Sequence, residues 1–288
     1  MKQNGVKLHD INRDDNIINL YHLLLNQEYR TSEYKIFKIY EGKERTIFQL
    51  PYYPDRILHH GVMNILESIF ISCFTKDTYS CIKGRGIHGA YRSIKNALLD
   101  IDNTQYCLKI DIKKFYPSIN HDILKNLLRT KFKDNKLLWL LDEIIESSDG
   151  LPIGNYLSQF LANFYLTKFD HWIKENKQIK YYSRYCDDIV ILAKDNESLH
   201  ILLKEIKEYL AVNLKLELSN SQIFPVDIRG IDFVGYRFFR NYILLRKSIK
   251  NKFIKMIKYN RNDKSIASYN GWLKYCNSKN LQQKYLKI

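Results

Sequence analysis

From Tyr106 to Ile112 the chain alternates, with Leu108, Ile110 and Ile112 on one side and Cys107, Lys109 and Asp111 on the other. A period of two marks a strand with one buried face, so this segment reads as a strand carrying an acid, Asp111, near its end on the other face. Residues 122–147 and 155–175 read as helices, the second with Leu161, Tyr165, Phe169 and Trp172 on one stripe. Two strand-like runs, Lys180 to Tyr185 and Ile189 to Ala193, flank only Cys186, Asp187 and Asp188. So short a connection predicts a hairpin. Leu199, Leu202, Leu203, Ile206 and Leu210 mark an amphipathic helix capped by Asp195 or Asn196, and Lys215 to Leu218 reads as the next strand. Strand, helices, two strands, helix and strand make a split β-α-β plan in the α+β class, an antiparallel sheet with helices on one face. Prolines at 51, 54, 117, 152 and 225 punctuate the elements, and no repeat or Pro/Gly/Ser-rich linker divides them.

Composition narrows the class. A chain of 288 residues suggests about two compact units. With 45% hydrophobic and 14% aromatic residues it can bury a sizeable core, which excludes wholesale disorder. No apolar run approaches the ~18 residues of a membrane span, and the first fifteen residues are polar and contain acids. Five cysteines without a C-x-x-C spacing fit neither a disulfide scaffold nor a structural zinc site. The adjacent His59 and His60 would point about 100° apart on a helix, unlike a chelating i, i+4 pair. The expectation is a cytoplasmic protein with no membrane partner.

Charge points to a partner. Forty-six Lys and Arg against thirty-one Asp and Glu give +15. From Arg240 onward there are thirteen basic residues and one acid, Asp263, so that tail holds +12 of the total. Within it Ile249, Phe253, Met256 and Ile257 form a helical stripe that can pack inward while lysines face elsewhere. Arg246, Lys247, Lys250, Lys255 and Lys258 then make a candidate contact surface for nucleic-acid phosphates.

The split β-α-β plan also brings Asp111 beside the hairpin tip with Asp187 and Asp188. Converging carboxylates repel one another unless cations neutralise them, and oxygen ligands of this kind suit magnesium. Two such ions can activate an attacking hydroxyl and stabilise a leaving phosphate oxygen. An Asp-Asp turn alone is more often a solvated hairpin tip; Asp111 and the basic tail shift the balance.

These residues carry a resemblance. Tyr185, Cys186, Asp187, Asp188 looks like the Y-x-D-D box of reverse transcriptases, and L-K-I-D-I-K-K-F-Y-P-S-I around Asp111 resembles the acidic motif preceding it in that family. Further matches extend from about Arg45 to Trp272. The resemblance implies a right-hand polymerase fold: fingers over 1–105 with part of 120–152, palm over 106–119 and 153–239, and a short helical basic thumb over 240–288. It implies RNA-directed DNA polymerase activity with two Mg2+ ions, Mn2+ as a possible substitute, an RNA template, a DNA or RNA primer and deoxynucleotides. Asp111, Asp187 and Asp188 would be the catalytic metal site, with Asp111 and Asp187 the more direct ligands and the Ile112 carbonyl assisting. Arg45, Tyr116 and Gln159 would bind the nucleotide, Tyr116 crowding a ribose 2′-hydroxyl. Phe233, Gly235 and Tyr236 would form the primer grip.

Two departures refine the resemblance. The loop that usually reads P-Q-G-x-x-x-S-P is here P-I-G-N-Y-L-S-Q, from Pro152 to Gln159. It resembles that of diversity-generating retroelements, whose enzymes copy RNA with frequent errors opposite adenine. Ile153, Gly154 and Arg85 would be fidelity and template residues, and a basic accessory protein would be a partner. The lysine that relatives carry near Leu218 to Ser221 is absent, leaving Lys215 or another donor to replace it. The alternatives are a group II intron-like or other bacterial reverse transcriptase of ordinary fidelity, and a catalytically idle RNA-binding protein. A rival class rests on Gly84, Gly86 and Gly89, a G-x-G-x-x-G after strand-like Tyr79 to Ile82 and before helix-like Ala90 to Leu99, the layout of a dinucleotide-binding unit.

Overall fold

The computed structural model describes residues 4–40, 44–259 and 262–286; Arg261 and Lys287 of the basic tail lie outside the described residues. In chain order the elements are α1 (Asn4–Ile11), α2 (Arg13–Leu25), β1 (Lys35–Tyr40), β2 (Glu44–Gln49), α3 (Ile57–Cys73), α4 (Gly86–Ala97), β3 (Tyr106–Ile112), α5 (His121–Lys131) and α6 (Asn135–Glu146). Then come α7 (Tyr156–Tyr165), α8 (Thr167–His171), β4 (Tyr181–Tyr185), β5 (Asp188–Ala193), α9 (Asn196–Leu214), β6 (Leu218–Pro225) and α10 (Val226–Arg229). The chain ends with β7 (Ile231–Phe233), β8 (Tyr236–Phe238), β9 (Ile243–Leu245), α11 (Lys247–Tyr259), α12 (Asp263–Leu273) and α13 (Lys279–Leu286).

Two units emerge, one comprising residues 1–75, 112–172 and 207–217, the other 76–111, 173–206 and 218–288. In the first, α3 packs on α7 around the fully buried Phe70, whose ring meets Phe132, Phe160 and Phe164 at 5.6, 6.2 and 5.3 Å. Here β1 and β2 form a two-stranded antiparallel hairpin. In the second, a four-stranded sheet has the order β4-β5-β3-β6, with antiparallel β3–β5 and β4–β5 pairs. That order is the expected split β-α-β arrangement. A three-stranded sheet, β7-β8-β9, shares a core with α4 and the C-terminal helices through Ala90, Tyr91, Ile94, Phe233, Tyr236, Phe238 and Phe253. The inward stripe of the basic tail forms as its period predicts, Phe253 fully buried and Ile249, Met256 and Ile257 packed around it.

Three expectations need correction. Residues 122–147 form two helices, because the Asp134 carboxylate accepts the N–H groups of Lys136 and Leu137, both at 2.9 Å, and so starts α6 afresh. The strand expected at Lys215–Leu218 begins only at Leu218: Lys215 is left-handed (φ 53°), and the Leu216 N–H returns to the Leu210 carbonyl, finishing α9. Tyr79–Ile82 is no strand but a series of turns, flanked by a single parallel bridge between Thr78 and Arg184. Gly84 and Gly86 therefore open α4 without the strand that a dinucleotide-binding unit requires. The cap of α9 does hold, the Asp195 carboxylate accepting the Ser198 N–H at 2.7 Å.

Candidate active site

The β4–β5 register pairs Tyr185 with Asp188, leaving Cys186 and Asp187 as a two-residue turn with Cys186 at φ 59°. A left-handed non-glycine residue is strained and needs support. Support comes from both sides of Cys186. Its carbonyl accepts the Nη1 of Arg184 at 3.1 Å, and its N–H donates to Ser80 Oγ at 3.0 Å. Arg184 itself has no exposed surface, and its Nη2 reaches Thr78 Oγ1 at 3.5 Å. Backbone bonds from Arg184 N–H to the Asp77 carbonyl and from Tyr79 N–H to the Arg184 carbonyl lash the same segment to β4.

Beside this turn β3 places Asp111 directly across from Asp188. The Asp111 carboxylate accepts from the Ser219 hydroxyl at the start of β6. Burial pushes the Asp187 carboxyl above the usual carboxylate range, and the charges of Asp111 and Asp188 push it further. Burial raises Asp188 as well, opposed chiefly by Lys109, whose ammonium pairs with Asp188 Oδ1. Among the described residues no three His, Cys, Asp or Glu side chains are gathered so as to hold a metal ion on their own. Of the expected triad, Asp188 pairs with Lys109, Asp111 accepts from Ser219, and Asp187 sits half-buried in the turn. Two carboxylates remain a fitting donor set for magnesium, which keeps several waters and completes its shell with substrate phosphates.

The same unit holds the expected primer-grip residues. Phe233 and Tyr236 are buried, so their side chains hold the β7–β8 turn rather than face solvent. Val234 and Gly235 form that turn with φ 41° and 89°. Trp272 lies against Gly235, so close that a Cβ there would fall 2.8 Å from Cη2. Arg85 donates to the Thr78 carbonyl at 3.1 Å, tying it to the segment that braces the hairpin. Of the expected phosphate contacts Lys247, Lys250, Lys255 and Lys258 are exposed along α11, whereas Arg246 is half-buried and donates to Asp232 Oδ1 at 2.5 Å.

Arg45, Tyr116, Ile153, Gly154 and Gln159 belong to the first unit. Arg45 is exposed on β2, and the next strand position but two, Phe48, donates its N–H to the Ile153 carbonyl at 2.9 Å. Gly154 sits at φ 126° with space for no side chain: a Cβ would lie 2.7 Å from the Phe48 carbonyl oxygen. Glycine is thus required where the loop crosses β2. Leu151 in turn donates to the Tyr116 carbonyl at 2.9 Å. Arg45, the 151–154 loop and Tyr116 are linked through backbone, while Gln159 is half-buried on α7.

Several residues at the hairpin escaped the sequence reading. Lys109 shares the Asp111 face by simple alternation and could have been found; Ser80, Arg184 and Ser219 carry no local signal. Ser219 lies in the Leu218–Ser221 stretch where the family lysine is missing, and Lys215, its proposed replacement, is exposed in the turn after α9.

Known proteins resemble this chain in sequence and in fold. YkfC of Escherichia coli K12 is 25% identical over 245 residues, covering 69% of this chain and 64% of that protein. The Retron Ec73 reverse transcriptase of Escherichia coli is 26% identical over 232 residues, covering 74% of this chain and 70% of that one. The group II intron-encoded protein LtrA of Lactococcus lactis is 27% identical over 139 residues, 44% of this chain but 23% of its own length. The chain therefore spans about two thirds of YkfC and under a quarter of LtrA. A solved telomerase of Candida tropicalis, in complex with the TWJ fragment of telomeric RNA, superposes with TM-score 0.59 at 13% identity, covering 76% of this chain and 45% of that one. That likeness gives the fold, a right-hand polymerase. Residues 36–238 match the family model described as reverse transcriptase (RNA-dependent DNA polymerase), and the chain belongs to that family.

Proposed function

We propose that the chain is an RNA-directed DNA polymerase extending a primer by nucleotidyl transfer. The observation that carries this reading is the placing of Asp111, on β3 and directly across from Asp188, beside the braced β4–β5 turn that carries Asp187. The primer 3′-oxygen forms a bond to the α-phosphorus of a deoxynucleotide while the bond to the pyrophosphate oxygen breaks. Asp111 and Asp187, with the Ile112 carbonyl, would hold two magnesium ions, and such ions would supply activation of the hydroxyl and stabilisation of the leaving oxygen. Arg45 binds the triphosphate. Tyr116 excludes a ribose 2′-hydroxyl, and Gln159 adds a polar contact to the nucleotide. The exposed α11 lysines bind backbone phosphates, so binding weakens as salt rises. In this reading fingers, palm and thumb follow the boundaries given above. Primer extension on an RNA template with magnesium and four deoxynucleotides tests it: cDNA should appear with the native chain and vanish with Asp187→Ala. Absence of product from the native chain with its template RNA and accessory protein supplied would favour an idle RNA-binding protein.

A finer reading rests on Ile153. A polar side chain beside the nascent pair contributes about 0.5–1.5 kcal/mol by hydrogen bonding, and ~1.4 kcal/mol is tenfold in discrimination. Isoleucine offers none. The chain then copies with errors concentrated opposite adenine, as a diversity-generating retroelement enzyme with a structured RNA and a basic accessory protein. Its similarity to intron-encoded and retron proteins fits ordinary fidelity equally well. Ile153→Gln decides between them: fewer errors opposite adenine supports the error-prone reading, and an unchanged, faithful spectrum in both proteins supports the alternative.

A further inference from the structure

Lys109 stands two residues before Asp111 on the same face of β3. In the β3–β5 register it faces Val190, one step along from the Asp111–Asp188 pair on the same face of the sheet. From there its ammonium reaches diagonally to Asp188 Oδ1 and lies 4.8 Å from the centroid of the Phe233 ring. Lys109 and Asp188 side chains are only 21% and 28% exposed, and Phe233 not at all. Partial burial strengthens both a charge pair and a cation over an aromatic face. Removing one partner of a shielded pair leaves the other uncompensated. The neighbouring residue of β7, Asp232, is held by Arg246. One lysine thus touches the hairpin acid on one side and the turn-bearing strand on the other.

We propose that Lys109 is a positioning residue of the polymerase site: it holds Asp188 as its counter-ion, outside the metal-binding pair, and fixes the catalytic hairpin to the β7–β8 turn through Phe233. This rests on the reading that Asp111 and Asp187 hold the metal. Lys109 then places its ammonium among three neighbouring acids and reduces their repulsion, leaving two for exchangeable ions. Asp188 serves the site by its hold on Lys109, not by ligation.

Two measurements on the full chain test this. Mn2+ binding, followed by the loss of its free-ion paramagnetic resonance signal, should weaken at least about tenfold in Asp187→Asn and stay within about threefold in Asp188→Asn. Equal loss in both variants overturns the proposal while leaving the metal reading intact; no loss in Asp187→Asn overturns the metal reading itself. Primer-extension kcat should fall about tenfold in Lys109→Met and in Asp188→Asn, with no further fall in the double variant, since coupled partners are not additive. Lys109→Arg should recover part of the loss. Effects that multiply to about a hundredfold in the double variant would show that the two side chains act separately and overturn the proposal. Should Lys109→Met fail to fold, the Mn2+ comparison of the two aspartate variants stands by itself.

Discussion

Two turns of two residues lie in the second unit, and each contains left-handed backbone, yet they are held in different proportions by hydrogen bonds and by packing. Cys186–Asp187 is gripped by polar contacts to main-chain atoms: Arg184 on one carbonyl and Ser80 on one N–H. Val234–Gly235 is gripped chiefly by packing, with Trp272 pressed on the glycine and Phe233 and Tyr236 buried at either side, beside one bond from the Arg246 N–H to the Gly235 carbonyl at 2.9 Å. The difference follows from what each presents. A turn that displays a carboxylate must keep its side-chain side open, so its support has to come through backbone hydrogen bonds. A turn whose side chains are buried can be clamped by an aromatic lid, provided that a residue beneath the lid has no Cβ. Hydrogen bonds to main chain tolerate a change of side chain, and close packing does not.

The first way to sharpen this contrast is to remove what the polar turn displays. Asp187→Asn keeps the shape and the brace but halves the proposed carboxylate pair, so primer-extension kcat should drop about a thousandfold, in the range of losing a preorganised electrostatic group. Circular dichroism and melting temperature should remain near native. A collapse of the fold would instead mean that Asp187 holds the turn together.

Gly235→Ala attacks the packed turn. An alanine must adopt φ near 89° and place its methyl inside the contact distance of the Trp272 ring. Left-handed strain and overpacking together should lower stability by about 2–4 kcal/mol in urea unfolding. Combining it with Trp272→Ala should cost less than the sum of the two, because the second change removes the clash of the first. Strict additivity would show that the indole is not the lid.

Ser80→Ala strikes the brace of the polar turn. It removes the hydroxyl that accepts the Cys186 N–H, a half-buried donor, at a cost of about 1–2 kcal/mol. Because the displaced turn carries Asp187, kcat should fall about tenfold while the KM for deoxynucleotide, which we propose is set by Arg45, Tyr116 and Gln159, changes less than about twofold. An equal shift in both would point to general loosening.

Much of this region was legible in the sequence and some was not, for identifiable reasons. The hairpin could be read because two β-rich runs left too few residues for anything but a tight turn. The basic face of α11 could be read because its apolar positions keep helical period. Arg184 could not, since an arginine in a strand is ordinarily a solvated one, and here the Asp77–Ser80 segment lies against β4 and bonds to it. Likewise the link from β2 to Ile153 and from Leu151 to Tyr116 joins residues about a hundred and about thirty-five positions apart, and no local pattern encodes it. The single helix expected over 122–147 failed on Asp134, which looks like any surface acid until its carboxylate is seen capping α6. The missing strand at Lys215 failed because a left-handed residue cannot be inferred from a lysine.

The smallest effect is the most discriminating for the contrast itself. Cys186→Gly relieves a left-handed residue at φ 59°, worth about 1–2 kcal/mol, while glycine costs about 0.5–1 kcal/mol in extra chain entropy. The thiol also donates to Asp187, a contact that a glycine forfeits. These terms oppose one another, and the two bonds of the brace engage backbone atoms that glycine retains. Stability should therefore change by less than about 1 kcal/mol in either direction, in contrast to the larger loss from a single added methyl at Gly235. A drop beyond about 2 kcal/mol would mean that the thiol, not the backbone, anchors the hairpin tip, and the two turns would then be held by side chains alike.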